Sequence, residues 1–138
     1  MIRGRSHIEF YAVFLAVLIL MLSCEMQNLS EPGFLEGKIS IGPICPVEKD
    51  PPDPGCLPTA ETYKAYPVSI WRPDGKRKLI QLNPSLDGSY KTELEPGIYL
   101  VILENEGNGI GQSNLPVKVT VFSKTGTILN IDIDTGIR

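Results

Sequence analysis

The chain has 138 residues, with 13 Lys and Arg against 16 Asp and Glu, a net charge of −3 and no extended basic run; that balance argues against nucleic acid as a partner. Its one histidine, His7, lies near the start in a segment expected to be removed. The rest therefore cannot build a Ser-His-Asp or Cys-His catalytic site, or the usual histidine-bearing zinc site.

Arg3 and Arg5 with the terminal amine make a positive start, followed by an unbroken apolar run from Phe10 to Leu22. A membrane-spanning helix needs about 20 apolar residues, whereas the central segment of a secretory signal needs about 7–15. Residues 1–23 are therefore expected to be a signal peptide. Met21-Leu22-Ser23-Cys24 resembles a bacterial lipobox, with small Ser23 suited to the peptidase pocket and Cys24 as the residue to be lipidated. Met21 stands where that motif most often has Leu. The other reading is an ordinary cut near Ser23, which leaves Cys24 unmodified and the protein secreted. With two or three acyl chains the anchor would be firm, because each buried methylene contributes about 0.8 kcal/mol.

Residues 24–33 are polar and irregular and read as the lipidated cysteine and its tether. From Phe34 to the end, residues 34–138, the pattern is β, and no stretch has helical apolar spacing over helical length. Leu35, Ile39 and Ile41 share one face of a first strand. Cys45 and Cys56 then bracket Pro-Val-Glu-Lys-Asp-Pro-Pro-Asp-Pro-Gly, which the prolines keep out of helix and central strand. With Cys24 assigned to lipid, an even pair in an exported chain is most simply a disulfide, and two thiols without histidine make a poor metal site.

Tyr66, Val68 and Ile70 alternate in a second strand, with Trp71 on the opposite side, either covering the sheet's second face or forming an exposed contact. Arg72-Pro73-Asp74-Gly75 is a turn signal, and Lys76-Arg77-Lys78 beside it reads as a solvated hairpin tip. Leu79 to Leu82 and Tyr90 to Leu94 are further strands, separated by a turn at 83–88. Ile98 to Leu103 is continuously apolar, as expected of a central strand covered on both faces. After a glycine-rich loop, residues 104–115, Val117 to Val121 and Leu129 to Ile133 complete the set. Seven short strands between turns predict an all-β, seven-stranded antiparallel β-sandwich.

Residues 87–103, Asp-Gly-Ser-Tyr-Lys-Thr-Glu-Leu-Glu-Pro-Gly-Ile-Tyr-Leu-Val-Ile-Leu, resemble the core of carboxypeptidase regulatory-like domains. That resemblance implies a transthyretin-like (prealbumin-like) sandwich. The stretch Gly37 to Glu48 and the ending Asp134 to Arg138 further resemble exported bacterial proteins carrying that domain. Ser85 departs from the pattern, since many such domains have an acid there. Transthyretin-like hydrolases rely on histidines and a Tyr-Arg-Gly-Ser ending, and residues 24–138 have neither.

Three local signals read as structure rather than chemistry. Asp134-Thr135-Gly136 spells the aspartic-protease triplet, but only Ile137 and Arg138 follow, too few to complete the catalytic loop. Gly107 to Gly111 leads to a strand and not to the helix that a phosphate loop requires. Lys38 and Asn130 occupy the strands that some surface sandwiches join by an isopeptide bond, yet both are expected to face solvent.

The sequence thus predicts a lipid-anchored cell-envelope β-sandwich, a structural or interaction module without catalytic residues, cofactor or metal. Its partners would be the membrane, through the anchor, and an envelope protein, with contact through loops 43–58 and 104–115. The alternative is a periplasmic small-ligand carrier or inhibitor using the sandwich edge or loops.

Overall fold

The computed structural model describes residue 11 and residues 13–15, 30–47, 49–104 and 111–137. The signal-peptide run falls mostly outside these residues, and so does Cys24. Among the described residues no helix is long and apolar enough to cross a membrane.

Two sheets pack face to face. The first is ordered β4-β1-β9-β6, with β8 also paired to β1; the second is β3-β2-β5-β7. The strands are β1 (Gly33–Gly42), β2 (Val68–Trp71), β3 (Lys78–Gln81), β4 (Ser89–Leu94), β5 (Gly97–Leu103), β6 (Gln112–Ser113), β7 (Val117–Val121), β8 (Gly126–Ile128) and β9 (Ile131–Asp134). Period-two alternation sends Leu35, Ile39 and Ile41 of β1 inward to meet Val68, Ile70, Val101 and Leu103 of the second sheet. Ile131 and Ile133 of β9 complete the centre of this core. Burying such side chains stabilises the fold by about 1.5–3 kcal/mol each.

All seven expected strands form, and the sandwich is as expected. Among the described residues the count rises to nine because β6 is added and a further short strand, β8, forms at Gly126–Ile128, where the sequence suggested the end of a turn, just ahead of the expected strand at 129–133. The gap between β8 and β9 has a local cause. The carbonyl of Leu129 sits so close to Gly37 that a Cβ there would lie 2.1 Å from it. Opposite Lys38 the ladder is continued by a side chain, the Asn130 Oδ1 accepting from the Lys38 backbone N–H at 3.1 Å. So β8 ends at Ile128 and β9 resumes at Ile131.

The pairing is also not wholly antiparallel: β1 runs parallel to both β8 and β9. Chain reversal between consecutive strands occurs elsewhere, and β1 receives the last strands of the chain alongside.

One short helix, α1 (Ala60–Ala65), breaks the all-strand expectation. Thr59 caps it, its hydroxyl accepting from the Thr62 backbone N–H while the Thr62 hydroxyl accepts from Thr59 N–H. This is a capping box with Thr in place of the usual Glu or Gln. Tyr63 and Tyr66 pack from this segment against the core.

The expectation of two covered faces for β5 is corrected. Tyr99, Val101 and Leu103 point into the sandwich, but Ile98 on the other face is 53% exposed. Among the described residues no third layer covers that face, on which β-sheet register places Trp71 opposite Leu100. The indole N–H of Trp71 donates to Ser69 Oγ at 2.7 Å, and Ser69 is fully buried although it faces outward. Glu104 bonds to the same Ser69 and pairs with Lys78; those bonds, the lysine's first, hold its carboxyl below the usual range.

Candidate functional site

Strand directions divide the connections between two ends. β1 runs from Gly33 at one end to Gly42 at the other, and Gly33 faces Leu94, the last residue of β4. The short link from β4 to β5 places Gly97 at that same end, and β2 and β7 run antiparallel to β5. One end therefore carries the entry at residues 30–33, the 72–77 hairpin and the 122–125 turn. The opposite end, the tip, carries the cysteine loop, α1, the 82–88 turn, both flanks of the glycine-rich loop, and residues 135–137.

The tip is where the two loops singled out from the sequence meet. Asp134 is the hinge of this meeting, facing Gly42 on one side and Gln112 on the other. The cysteine loop leaves from Gly42, and the glycine-rich loop returns at Gln112. Gly111 N–H donates to the Asp134 carbonyl at 2.9 Å, and Thr135 N–H to the Gly42 carbonyl at 3.1 Å. Residues 105–110 of the glycine-rich loop lie outside the described residues.

Cys45 and Cys56 form the expected disulfide, with Cα atoms 5.4 Å apart. It closes the proline-rich segment over Ile44, which packs against the core. Within the loop, Asp53 caps a single 3-10 turn at Pro54–Cys56, its Oδ1 accepting from Gly55 N–H at 3.0 Å. A small cavity of about 230 Å³ lies between this loop and the end of β1, lined by Ile41, Ile44, Lys49, Pro52 and Leu57 among others.

On the outer face of the first sheet, just below the loops, is a wider recess of about 530 Å³. Ser40 of β1, Asp132 and Asp134 of β9, Gln112 of β6 and Asn114 line it. Ser40 faces Asp132 across the β1–β9 pair, so both aspartates point from the same face. Asn114 fixes the floor: its Oδ1 accepts from Asp132 N–H at 3.0 Å and its Nδ2 donates to the Asn130 carbonyl at 2.9 Å. Such a surface offers acceptors and amide donors, suited to polar groups on a protein or glycan and not to an apolar small molecule.

The Asp134-Thr135-Gly136 triplet has a structural task here. Asp134 Oδ1 accepts from Gly136 N–H at 2.8 Å, and the buried Thr135 hydroxyl donates to the Pro43 carbonyl. The triplet thereby ties the chain end to the start of the cysteine loop. Lys38 and Asn130 are both exposed, as expected, and they meet only through the Lys38 backbone. Lys76, Arg77 and Lys78 are exposed around the hairpin, whose turn is held by Asp74 Oδ1 accepting from Lys76 N–H at 3.0 Å. Among the described residues no three His, Cys, Asp or Glu converge to hold a metal ion.

Sequence reasoning did not find the recess, because its lining comes from three strands distant in the chain. The one available signal was alternation, which put Ser40, Asp132 and Asp134 outward.

No family model and no curated protein matches the chain. Among solved structures, the minor pilin GBS52 of Streptococcus agalactiae is similar over 76% of this chain and 45% of its own, with a TM-score of 0.51 at 13% identity. A DUF3823 family protein from Parabacteroides merdae aligns over 77% of this chain and 47% of its own (TM-score 0.47, 17% identity). The Bacillus anthracis TIE protein aligns over 76% and 17% respectively (TM-score 0.48, 13% identity). The chain thus spans less than half the length of each of these structures. At such identity the likeness to the pilin is one of fold: a bacterial β-sandwich.

Proposed function

We propose that this protein is a lipid-anchored module of the bacterial cell envelope that presents the tip of its sandwich to a partner and catalyses no reaction. The observation that carries this reading is the placement of the tether and the loops at opposite ends. Residues 30–33 enter at one end, and the disulfide-closed loop, α1 and the polar recess crown the other. From Cys24 the chain can reach Glu31 over at most about 25 Å, so an anchor at Cys24 keeps the entry end near the bilayer and turns the tip outward.

The disulfide supports an oxidising compartment beyond the cytoplasm. The carboxylates at the recess, Asp132 and Asp134, sit on one strand face with Asp134 already bonded to the chain end, an arrangement for display and not for acid–base exchange. The boundaries that go with this reading are a signal at 1–23, a tether at 24–33 and the sandwich from 34. The prealbumin-like assignment rests on Asp87-Gly88 and Pro96-Gly97-Ile98-Tyr99, whose turns flank β4 and open β5.

The test is photo-crosslinking in intact cells from positions 57 and 112 at the tip, with position 93 on β4 as control. Adducts from the tip positions alone are expected. Adducts equally from position 93, or from none of the three, would remove the interaction role.

A further inference from the structure

The tether end carries a feature that partner display does not use. On the outer face of the second sheet, Trp71 faces Leu100 across β2 and β5, and Leu100 faces Lys118 across β5 and β7. Ile98 faces Thr120, which places Phe122 diagonally next to Ile98 on that face. Ile98 and Phe122 are 53% and 61% exposed. The result is an apolar diagonal, Trp71–Leu100–Ile98–Phe122, descending toward the entry end with no layer over it among the described residues.

The entry segment is fastened at the foot of this diagonal. Ser123 Oγ donates to the Glu31 carbonyl at 2.7 Å, Lys124 N–H donates to the Pro32 carbonyl at 3.1 Å, and Lys124 Nζ pairs with Glu31 at 2.9 Å. A Cβ on Gly33 would fall 1.9 Å from the Phe122 carbonyl, so β1 starts directly against Phe122.

We propose that this diagonal is a membrane-contact face, which lies on the surface of the same bilayer that holds the lipid at Cys24; the inference rests on the anchoring proposed above. Three observations favour a bilayer over another occupant. The chain between the lipid and the docked entry segment is too short to carry the domain beyond about 25 Å. The patch combines an indole and a phenyl ring with aliphatic groups, the mixture that settles at the headgroup level.

Charge supplies the third. Arg72, Lys76, Arg77 and Lys118 surround the patch beside the mutually neutralised Lys78–Glu104 pair, and the carboxylates at this end are Asp74, Glu93, Glu95 and the Lys124-paired Glu31. The tip is more acidic, with Asp50, Asp53, Glu61, Asp87, Asp132 and Asp134 against Lys49 and Lys64. An anionic leaflet therefore favours the entry end over the tip. The face need not bind strongly by itself. A short tether makes the contact intramolecular, at an effective concentration of the order of millimolar, so weak affinity suffices.

Trp71 is the one tryptophan of the chain, which makes the test direct. The acylated protein, purified from membranes, is reconstituted into phosphatidylglycerol-containing vesicles whose acyl chains are either plain or brominated near the headgroup. Trp71 emission is expected to fall by about half or more in the brominated vesicles. Ile98→Asp with Phe122→Asp is expected to abolish most of that difference while flotation with the vesicles is unchanged. Equal emission in both vesicle types, with the protein floating, overturns the contact face and leaves the anchor standing. Protein that does not float overturns both. Equal emission together with Lys118–Lys118 crosslinks between copies assigns the face to self-association instead.

Discussion

Tyr90 shows how much a single side chain holds at the place where β8 and β9 part. It is buried, its hydroxyl donates to the Leu129 carbonyl at 2.6 Å, and burial pushes its pKa up from 10.0 to about 12. The protonated form is the one the fold accommodates. Its contribution is therefore complete below about pH 10, where the unfolded chain still holds the proton, and is lost as pH rises toward about 12. Thermal melts should show the melting temperature falling across that window. Tyr90→Phe should begin about 1 kcal/mol less stable at neutral pH and fall less steeply, with Tyr63 and Tyr99, also raised by burial, supplying the remainder.

Gly88 is a second residue with no substitute. Its φ is +85°, and a Cβ would lie 2.3 Å from the Ile39 carbonyl. The Ile39 N–H in turn donates to the Gly88 carbonyl at 2.8 Å, so the turn cannot move away without losing that bond. Gly88→Ala should cost more than about 1 kcal/mol in urea melts. Gly55→Ala is a control; the nearest atom to a Cβ there is Asp53 Oδ1 at 3.5 Å, and the change should stay within about 0.5 kcal/mol.

Among the elements, the cysteine loop has the fewest internal means of holding its shape. Apart from the Pro54–Cys56 turn its described residues form no regular structure, and the disulfide limits its freedom in the unfolded chain. Replacing Cys45 and Cys56 by Ser should cost about 2–3 kcal/mol, which for a domain of this size lowers the melting temperature by about 10 °C or more. Far-ultraviolet circular dichroism should retain the β signal, because the core of Leu35, Ile70, Val101 and Ile131 lies outside the loop. Loss of the β signal would mean that the loop is required for the sandwich itself.

The elements also show what a sequence can carry. Strands at Leu35–Ile41, Val68–Trp71 and Val117–Val121 were legible because alternation by two is a local property, and Pro-Gly turns mark their ends. The disulfide was legible from cysteine parity. The helix at 60–65 was not, since six residues barely complete one turn and a half and the capping box uses Thr62. Nor was the parallel seating of β8 and β9 on β1, because register between segments some ninety residues apart has no local signal. The break at Leu129 and Asn130 likewise depends on Gly37 and Tyr90. The candidate site followed the same division: its two loops could be named in advance, but their meeting at Asp134 could not.

For the whole molecule, the distinguishing property is polarity from end to end. The entry segment and an apolar face rimmed by cations lie toward one end; the disulfide loop, the acidic recess and the described flanks of the glycine-rich loop occupy the other. That arrangement suits a domain held at a surface by its N-terminal side and read from the opposite side. The proposed anchoring depends on one covalent event, acylation at Cys24. Cells fed an alkyne fatty acid should label the wild-type chain and leave Cys24→Ala unlabelled and released from the membrane fraction. Label persisting on Cys24→Ala, or a wild-type chain that takes up none, would contradict the anchored module.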